Sequence, residues 1–501
     1  MSELHNAALL LDRNLEAGRG DKVAITWSGG TVTYAALHGL ACATGLRLRE
    51  LGIRREERVL IVMDDSPAFA AAFFGAIRIG AIPVPVNPLL QRSEDYDHYL
   101  ADSLARATVV DGMTVDKVRG AVVRAAEAIP LLGADEILAL APVDTPAAPT
   151  RRDDMAFWLY SSGSTGLPKA VVHLQHDIEY TCETYARKVL GIREADVTFS
   201  TTKLFHAYGL GNNLTFPYWF GASTILHSGR PTPPAVLDTI EALRPTLFFS
   251  APTLYNAILN FEGARGRDLS SIRHCVAAAE ALPAEVWKRW KEAYGLTILD
   301  GIGSTEMLHI YCSNQLEEVR PGSSGRAVPG YELKILDEDG APVARGEAGD
   351  MYVKGDSALA FYWGQHEKTK QSVLGEWFFT GDRYRQDDDG FFWYEGRSDD
   401  MIKVSGLWVS PVEIEGVLLE HERVDESAVV GIEVDGFTRI KAFVIARGES
   451  DPELAAELQE LCRSRLQRYQ YPHLVEFVAE LPKTVTGKIQ RYKLREQAPL
   501  A

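Results

Sequence analysis

Cysteine is scarce in this chain. The five present, Cys42, Cys182, Cys275, Cys312 and Cys462, are scattered through 501 residues, with no pair at CxxC or zinc-ligand spacing. An odd, dispersed set excludes a disulfide scaffold and a cysteine metal knuckle, and reads as free thiols in a reducing compartment. Long apolar runs are missing too. The most apolar stretch, Ala68 to Val86, is broken by Arg78, Gly80 and Pro83. A membrane span needs about twenty uninterrupted apolar residues, so this is read as a buried helix running into a strand. The N-terminus carries Glu3 and no basic stretch, so no signal peptide is expected and a cytoplasmic location follows. Positive charge is short as well: 52 basic residues stand against 69 acidic ones, a net charge of −17. That argues against nucleic acid as a partner, because phosphate backbones need basic surfaces. An anionic small substrate needs only a local positive site. Internal repeats and low-complexity tracts are also lacking.

What is present is a soluble globular balance, 46% apolar and 24% charged, in a chain long enough for two or more domains. Helical spacing over Tyr34–Leu51 and Pro67–Arg78 alternates with short apolar strands at Arg58–Val62 and Ile82–Val86. Such alternation predicts α/β layers with largely parallel strands. The segment Ala141–Thr150, with three prolines, reads as a connector. Near the end, the polar run Gly396-Arg397-Ser398-Asp399-Asp400 suits a linker. Beyond it, Ser410-Pro411-Val412-Glu413 is a capping box that opens a helix carrying Val412, Val417 and Leu418 and stopping near His421. Strands at Glu426–Gly431 and Ile440–Ala446 follow. A helix then opens at Asp451-Pro452 with Leu454, Leu458 and Leu461 on one face, and a short strand spans Leu474–Val478.

The chemistry-bearing segment is Ser161-Ser162-Gly163-Ser164-Thr165-Gly166-Leu167-Pro168-Lys169, which follows the apolar strand Phe157–Tyr160. Glycines let a backbone approach an anion, while hydroxyls and a lysine supply donors. It is not a Walker loop, because Leu167-Pro168 separates glycine from lysine and another strand, Ala170–Leu174, follows instead of a helix. Alone, it also admits a reading as a surface Ser/Gly hairpin. It gains meaning from four further segments in order: Asp300-Gly301-Ile302-Gly303-Ser304-Thr305-Glu306, Thr380-Gly381-Asp382, Gly396 to Asp400, and Pro482-Lys483-Thr484-Val485-Thr486-Gly487-Lys488. Together they resemble the adenylate-forming superfamily, which contains acyl-CoA synthetases, peptide-synthetase adenylation domains and firefly luciferase.

The resemblance implies an α/β fold. A large N-terminal region of layered subdomains (1–396) would be joined by a hinge (397–400) to a small, mobile α+β C-terminal domain (401–501). It also implies ATP, magnesium and coenzyme A. Ser161, Ser162, Gly163, Ser164, Thr165, Gly166 and Lys169 would wrap the β- and γ-phosphates. Thr305 would contact the α-phosphate and Glu306 would bind magnesium. Adenine would lie between Ala279-Glu280-Ala281 and Gly301-Ile302-Gly303-Ser304, with Asp300 accepting from its amino group. Ile302 stands where many relatives carry an aromatic residue, so aliphatic packing replaces ring stacking. Asp382 and Arg397 would hold the ribose, with Tyr394 as an aromatic contact or a plain core tyrosine. Lys488 would reach the carboxylate and α-phosphate in the first step. Asp399 matches the hinge, Gly406 the pantetheine channel, and Phe437 either a contact to the CoA adenine or an exposed turn aromatic.

Within the superfamily, Lys203 to Asn212 and Met307-Leu308-His309-Ile310 are similar to the pocket wall of benzoate- and aryl-CoA ligases. His206, Ala207, Tyr208, Gly303, His309 and Ile310 would then enclose a flat aromatic acid. His206 replaces a common phenylalanine, and with His309 it adds polarity suited to an amino- or hydroxy-benzoate; either could also be a satisfied structural histidine. The expected function is ATP-dependent, AMP-forming aryl-CoA ligation by a monomer or homodimer. A free-standing adenylation enzyme that loads a carrier protein is the alternative in the same superfamily, and a non-catalytic nucleotide or acyl binder is the alternative outside it. The triplet Asp102-Ser103-Leu104 resembles a carrier attachment site but lies inside the first α/β region.

Overall fold

The computed structural model describes residues 5–125, 128–161, 167–398, 400–404, 407–434, 437–483 and 489–497. The helix Tyr34–Glu50 starts where the Thr33 hydroxyl accepts the Ala36 N–H. The helix Pro67–Arg78 starts where Ser66 accepts the Phe69 N–H, with proline at the first position. Every residue of Pro67–Arg78 is buried, because it is sandwiched by apolar surface instead of facing water on one side.

Around it lie four sheets. Ile82–Pro85, Arg58–Val62, Ala107–Val110 and Leu131–Gly133 form a parallel sheet in that order. Their near-continuous Val, Ile and Leu content follows from burial on both faces. A nine-stranded sheet runs Arg326–Ala327, Ile310–Ser313, Ile298–Gly303, His274–Ala277, Leu247–Ser250, Val197–Ser200, Ser223–Ile225, Val23–Trp27 and Gly30–Thr33. Its strands from Ile298–Gly303 to Val23–Trp27 are parallel. The antiparallel hairpin Met155–Ser161 and Lys169–Leu174 pairs with Phe361–Tyr362. A fourth, antiparallel sheet contains Trp377–Gln386 and Phe392–Arg397. The α/β expectation holds, and 141–150 is without regular structure.

The last hundred residues build their own core from Val409, Ile414, Leu418, Val429, Ile440, Val444, Leu454, Leu458 and Cys462. Two details differ from the sequence reading. Gly396 and Arg397 complete the strand Phe392–Arg397 instead of opening the linker, since Arg397 pairs with Asp382. The helix Pro411–Leu418 ends earlier than expected and buries Ile414, not Val412. Starting at Pro411, its inner face falls on 411, 414, 415 and 418, one helical turn apart. Likewise Cys462, not Leu461, completes the buried face of Pro452–Arg465. Among the described residues no helix is long and apolar enough to cross a membrane, and all five cysteines are buried and unpaired.

Candidate active site

The strand Ile298–Gly303 runs into a turn of 3-10 helix, Thr305–Met307, that Ser304 caps by accepting the Met307 N–H at 3.3 Å. This turn is held from outside its own sequence. His173 bridges Asp177 Oδ2 at 2.7 Å and the Thr305 carbonyl at 2.9 Å. Ser357 Oγ donates to the Met307 carbonyl at 2.9 Å, and the Leu359 N–H to the Glu306 carbonyl at 2.6 Å. Tyr362 donates its phenol to Glu306 Oε1 at 3.0 Å. Leu308 closes the turn at φ +65°, a left-handed conformation that a leucine adopts only when its surroundings impose it.

Charged residues from three other segments meet here. Lys169 starts the strand opposite Ser161 and places its ammonium 5.8 Å from the Tyr362 ring centre. Burial and then the nearby Lys368 lower its pKa, Glu306 opposes them, and Arg397 adds to the lowering. Asp382 and Arg397 are register partners on adjacent strands, with Arg397 Nη1 3.4 Å from Asp382 Oδ1 and 3.1 Å from the Thr380 carbonyl. Between them Gly381 sits at φ +73°, where a Cβ would lie 2.9 Å from the Arg397 guanidinium. Only glycine fits that position without strain. The buried Tyr311 phenol, pushed far up mainly by burial, feels Asp382, Glu306 and Arg397 together. One polar cluster therefore joins Lys169, Glu306, Asp382 and Arg397.

Asp300 is buried beside this cluster, and its carboxyl is pushed well up by desolvation. Its Oδ1 has no hydrogen-bond partner among the described residues. The parallel pairing of Ala277 with Asp300 brings Ala279, Glu280 and Ala281 alongside. Ala279 adopts φ +78°, a second left-handed non-glycine in one region. Glu280 Oε2 accepts from the Thr253 hydroxyl at 2.5 Å and its N–H at 3.3 Å. Ile302 is half-buried against the main core. Tyr394 packs on Tyr384 at 5.3 Å within that core.

The residues expected around an aromatic acid also converge. His206 precedes the helical turn Ala207–Leu210, and its ring lies 4.2 Å from that of Phe205. The Tyr208 and His309 rings are 5.5 Å apart, and Phe216 and Tyr185 flank His309 at 4.4 and 5.3 Å. His309 Nε2 lies 3.2 Å from Asn212 Oδ1, and Tyr208 donates to the Val276 carbonyl at 3.2 Å. Burial lowers the His309 pKa to about 3, so the ring is neutral at ordinary pH. Gly303 pairs with Ile310, and a Cβ on Gly303 would lie 2.5 Å from the His309 carbonyl. The strands approach too closely there for any side chain.

Ser162, Gly163, Ser164, Thr165, Gly166, Asp399, Gly406 and Lys488 lie outside the described residues, as does the side chain of Phe437. Ser103 is fully buried with its hydroxyl bonded to the Tyr99 carbonyl at 2.6 Å, which removes it as a carrier attachment point. The sequence reading missed Tyr362, His173 and Thr253. Each reaches the site from a distant segment, and none stands in a recognisable motif.

The chain belongs to the AMP-binding enzyme family. The family profile matches residues 11–363, and the profile of the AMP-binding enzyme C-terminal domain matches 413–488. The fold, a large α/β region with a small C-terminal domain, is that of the adenylate-forming enzymes. The chain is 45% identical to a benzoate–CoA ligase of Thauera aromatica, covering 98% of this chain and 96% of that protein. The crystal structure of a benzoate CoA ligase from Burkholderia xenovorans LB400 superposes with a TM-score of 0.92 at 44% identity, over 98% of this chain and 100% of that one. That of the anthranilate CoA ligase AuaEII in complex with anthranoyl-AMP gives 0.95 at 40% identity, over 99% and 98%.

Proposed function

We propose that this protein is an AMP-forming aryl-CoA ligase of the cytoplasm. It would activate benzoate, or an amino- or hydroxy-substituted benzoate, as an acyl-adenylate and transfer the acyl group to coenzyme A. The observation that carries the reading is that full-length similarity to aryl-CoA ligases coincides with one polar cluster built from the motif residues.

The chemistry follows from charge. A carboxylate oxygen attacks the α-phosphate of ATP and expels pyrophosphate, so two anions must be brought together and the developing charge compensated. Lys169, with the hydroxyl and amide donors of the 161–169 loop, is read as the partner of the β- and γ-phosphates. Thr305 is the α-phosphate donor, and Lys488 compensates charge on the attacking carboxylate. Glu306, a hard oxygen ligand beside Lys169, suits magnesium, which would neutralise phosphate charge. Asp382, kept oriented by Arg397 and the Thr380 hydroxyl (3.1 Å from the Asp382 N–H), would accept from the ribose hydroxyls. The buried Asp300 Oδ1, without a partner among the described residues, suits a donor such as the adenine amino group.

The acid would lie over Gly303 between Ala207, Tyr208, His309 and Ile310, with His206 at the edge. In the second step the CoA thiol attacks the acyl carbonyl and AMP leaves. That step needs a different placement of the small domain, about a joint just beyond Arg397 with Asp399 as its hinge. Gly406 would then line the thiol's path and Phe437 the CoA adenine.

A panel of benzoic acids assayed for CoA-dependent AMP release tests the reading, with free pantetheine and a carrier protein as competing acceptors. Benzoate or a substituted benzoate should be turned over far better than acetate or palmitate, with CoA as the preferred thiol. Equal use of palmitate would remove the aryl assignment, and preference for a carrier protein would remove the ligase.

A further inference from the structure

The phosphate-binding hairpin is gripped at both ends by one short helix from a different sheet layer. The helix Asp97–Ser103 lies beside the strands Met155–Ser161 and Lys169–Leu174. His98 Nε2 is 2.8 Å from the Pro168 carbonyl, and Tyr160 donates its hydroxyl to Asp102 Oδ2 at 2.8 Å. Positions 98 and 102 are one helical turn apart and share a face. Tyr160 immediately precedes Ser161, and Pro168 immediately precedes Lys169, so the two bonds fall on the two sides of the loop mouth. Ser161 and Lys169 are themselves register partners.

The grip is packed. Tyr99 meets Tyr160 edge-on at 4.7 Å, and His98 lies 6.2 Å from the same ring. Burial pushes the Tyr160 phenol far above its ordinary value, so it stays a donor to Asp102. The helix is tied by a third bond too: Trp363 Nε1 donates to the Asp102 carbonyl at 3.0 Å. Trp363 follows Tyr362, the donor to Glu306. A continuous run of bonded groups thus links the loop mouth, the helix and the Glu306 carboxylate.

From this geometry we infer that His98 and Asp102 are positioning residues for ATP. They hold the ends of the 161–169 hairpin, and with them Lys169, at the separation the triphosphate requires. The inference rests on the reading of that hairpin as the phosphate site. A mouth fixed at one end only leaves Lys169 free to sample other placements, and the ordering must then be supplied by the nucleotide.

The test uses the full-length enzyme and two measurements: acid-dependent ATP–pyrophosphate exchange, and CoA thioester formation from pre-made benzoyl-adenylate. His98→Ala should raise the KM for ATP about five- to tenfold, the loss expected for one well-placed hydrogen bond. The KM for the aromatic acid should stay within about twofold of wild type, and thioester formation from the adenylate should be unaffected. His98→Gln, whose amide can still donate to the Pro168 carbonyl, should recover most of the ATP affinity. Tyr160→Phe removes a single hydroxyl and should weaken ATP binding in the same selective way, which keeps the test alive if His98→Ala does not fold. An unchanged KM for ATP in Tyr160→Phe and His98→Ala, a parallel rise for both substrates, or failure of glutamine to restore binding would overturn the inference. Absence of exchange in the wild type would instead overturn the phosphate-site reading.

Discussion

Folding moves His309 from water into a closed aromatic setting. It is enclosed by Tyr185, Tyr208, Phe216 and Asn212, and its pKa falls from about 6.5 in the unfolded chain to about 3 through loss of hydration. Between those values the unfolded chain binds a proton that the native protein refuses. The stabilising contribution is therefore complete above pH 6.5 and is lost as pH falls towards 3. Denaturant unfolding of wild type and His309→Gln between pH 7.5 and 5 should show the difference. The wild type should lose stability faster with acidification, by up to about 1.4 kcal/mol per pH unit below pH 6. Equal slopes would mean that His309 is hydrated or charged in the native state. At this scale the sequence was informative wherever a residue belongs to a motif. Thr305, Glu306, Asp382 and Arg397 could be picked out because their segments resemble those of the adenylate-forming superfamily. Tyr362, His173 and His98 could not, because each acts on a group 56 or more residues away and has an ordinary local context.

Elements were legible where local chemistry fixes them and obscure where pairing does. Ser66-Pro67 and Asp451-Pro452 announce their helices through caps that satisfy backbone N–H groups within three residues. Nothing local tells that Gly396-Arg397 ends a strand, since the partner Asp382 decides it. A similar non-local bond fixes the turn that leads into the helical turn Ala207–Leu210. Lys203 Nζ lies 2.7 Å from Asp64 Oδ1 and 2.6 Å from the His227 carbonyl, and Asp65 Oδ1 accepts the Leu204 N–H at 3.0 Å. Asp64 and Asp65 stand at the end of the strand Arg58–Val62, so one sheet layer anchors the segment that carries His206, Ala207 and Tyr208. Lys203→Met should leave the nearly buried Asp64 with the Asp65 and Gly229 N–H donors but no cation, at a cost of about 3–5 kcal/mol, and should raise the KM for the aromatic acid more than that for ATP. Asp65→Asn keeps an acceptor oxygen for Leu204. Burial pushes the Asp65 carboxyl up to about 7, so the folded protein retains a proton that the unfolded chain gives up near pH 4. Native stability is therefore eroded as pH rises from 4 towards 7, and the asparagine variant should lose that erosion. Thermal unfolding of both variants at pH 6 and 8 checks the pair, and a destabilised Asp65→Asn at pH 8 would contradict the sign.

At the scale of the whole molecule, the small domain has its own apolar core and meets the large region partly through polar groups. Asn256 and Asn260, on the helix Pro252–Asn260, donate to Asp425 at 3.2 and 3.4 Å, and Arg447 donates to Asn260 at 2.9 Å. Partly exposed polar contacts of this kind hold an orientation weakly, because water replaces each bond at little cost. A two-step enzyme needs that weakness: the charge that assists attack on ATP must leave before a thiol can approach the same carbonyl. On the proposed reading, Lys488 serves only the first placement, as a cation at the reacting carboxylate and α-phosphate. Lys488→Ala should therefore slow adenylate formation by about two to four powers of ten, corresponding to about 3–5 kcal/mol of transition-state stabilisation. The same variant, given pre-made benzoyl-adenylate and CoA, should form thioester at close to the wild-type rate, since no charge is then developing at the α-phosphate that needs that lysine. Single-turnover measurement of each half-reaction separates the outcomes. If both rates collapse together while the protein remains folded, Lys488 is not specific to one step, and the division of the cycle between two domain placements fails with it.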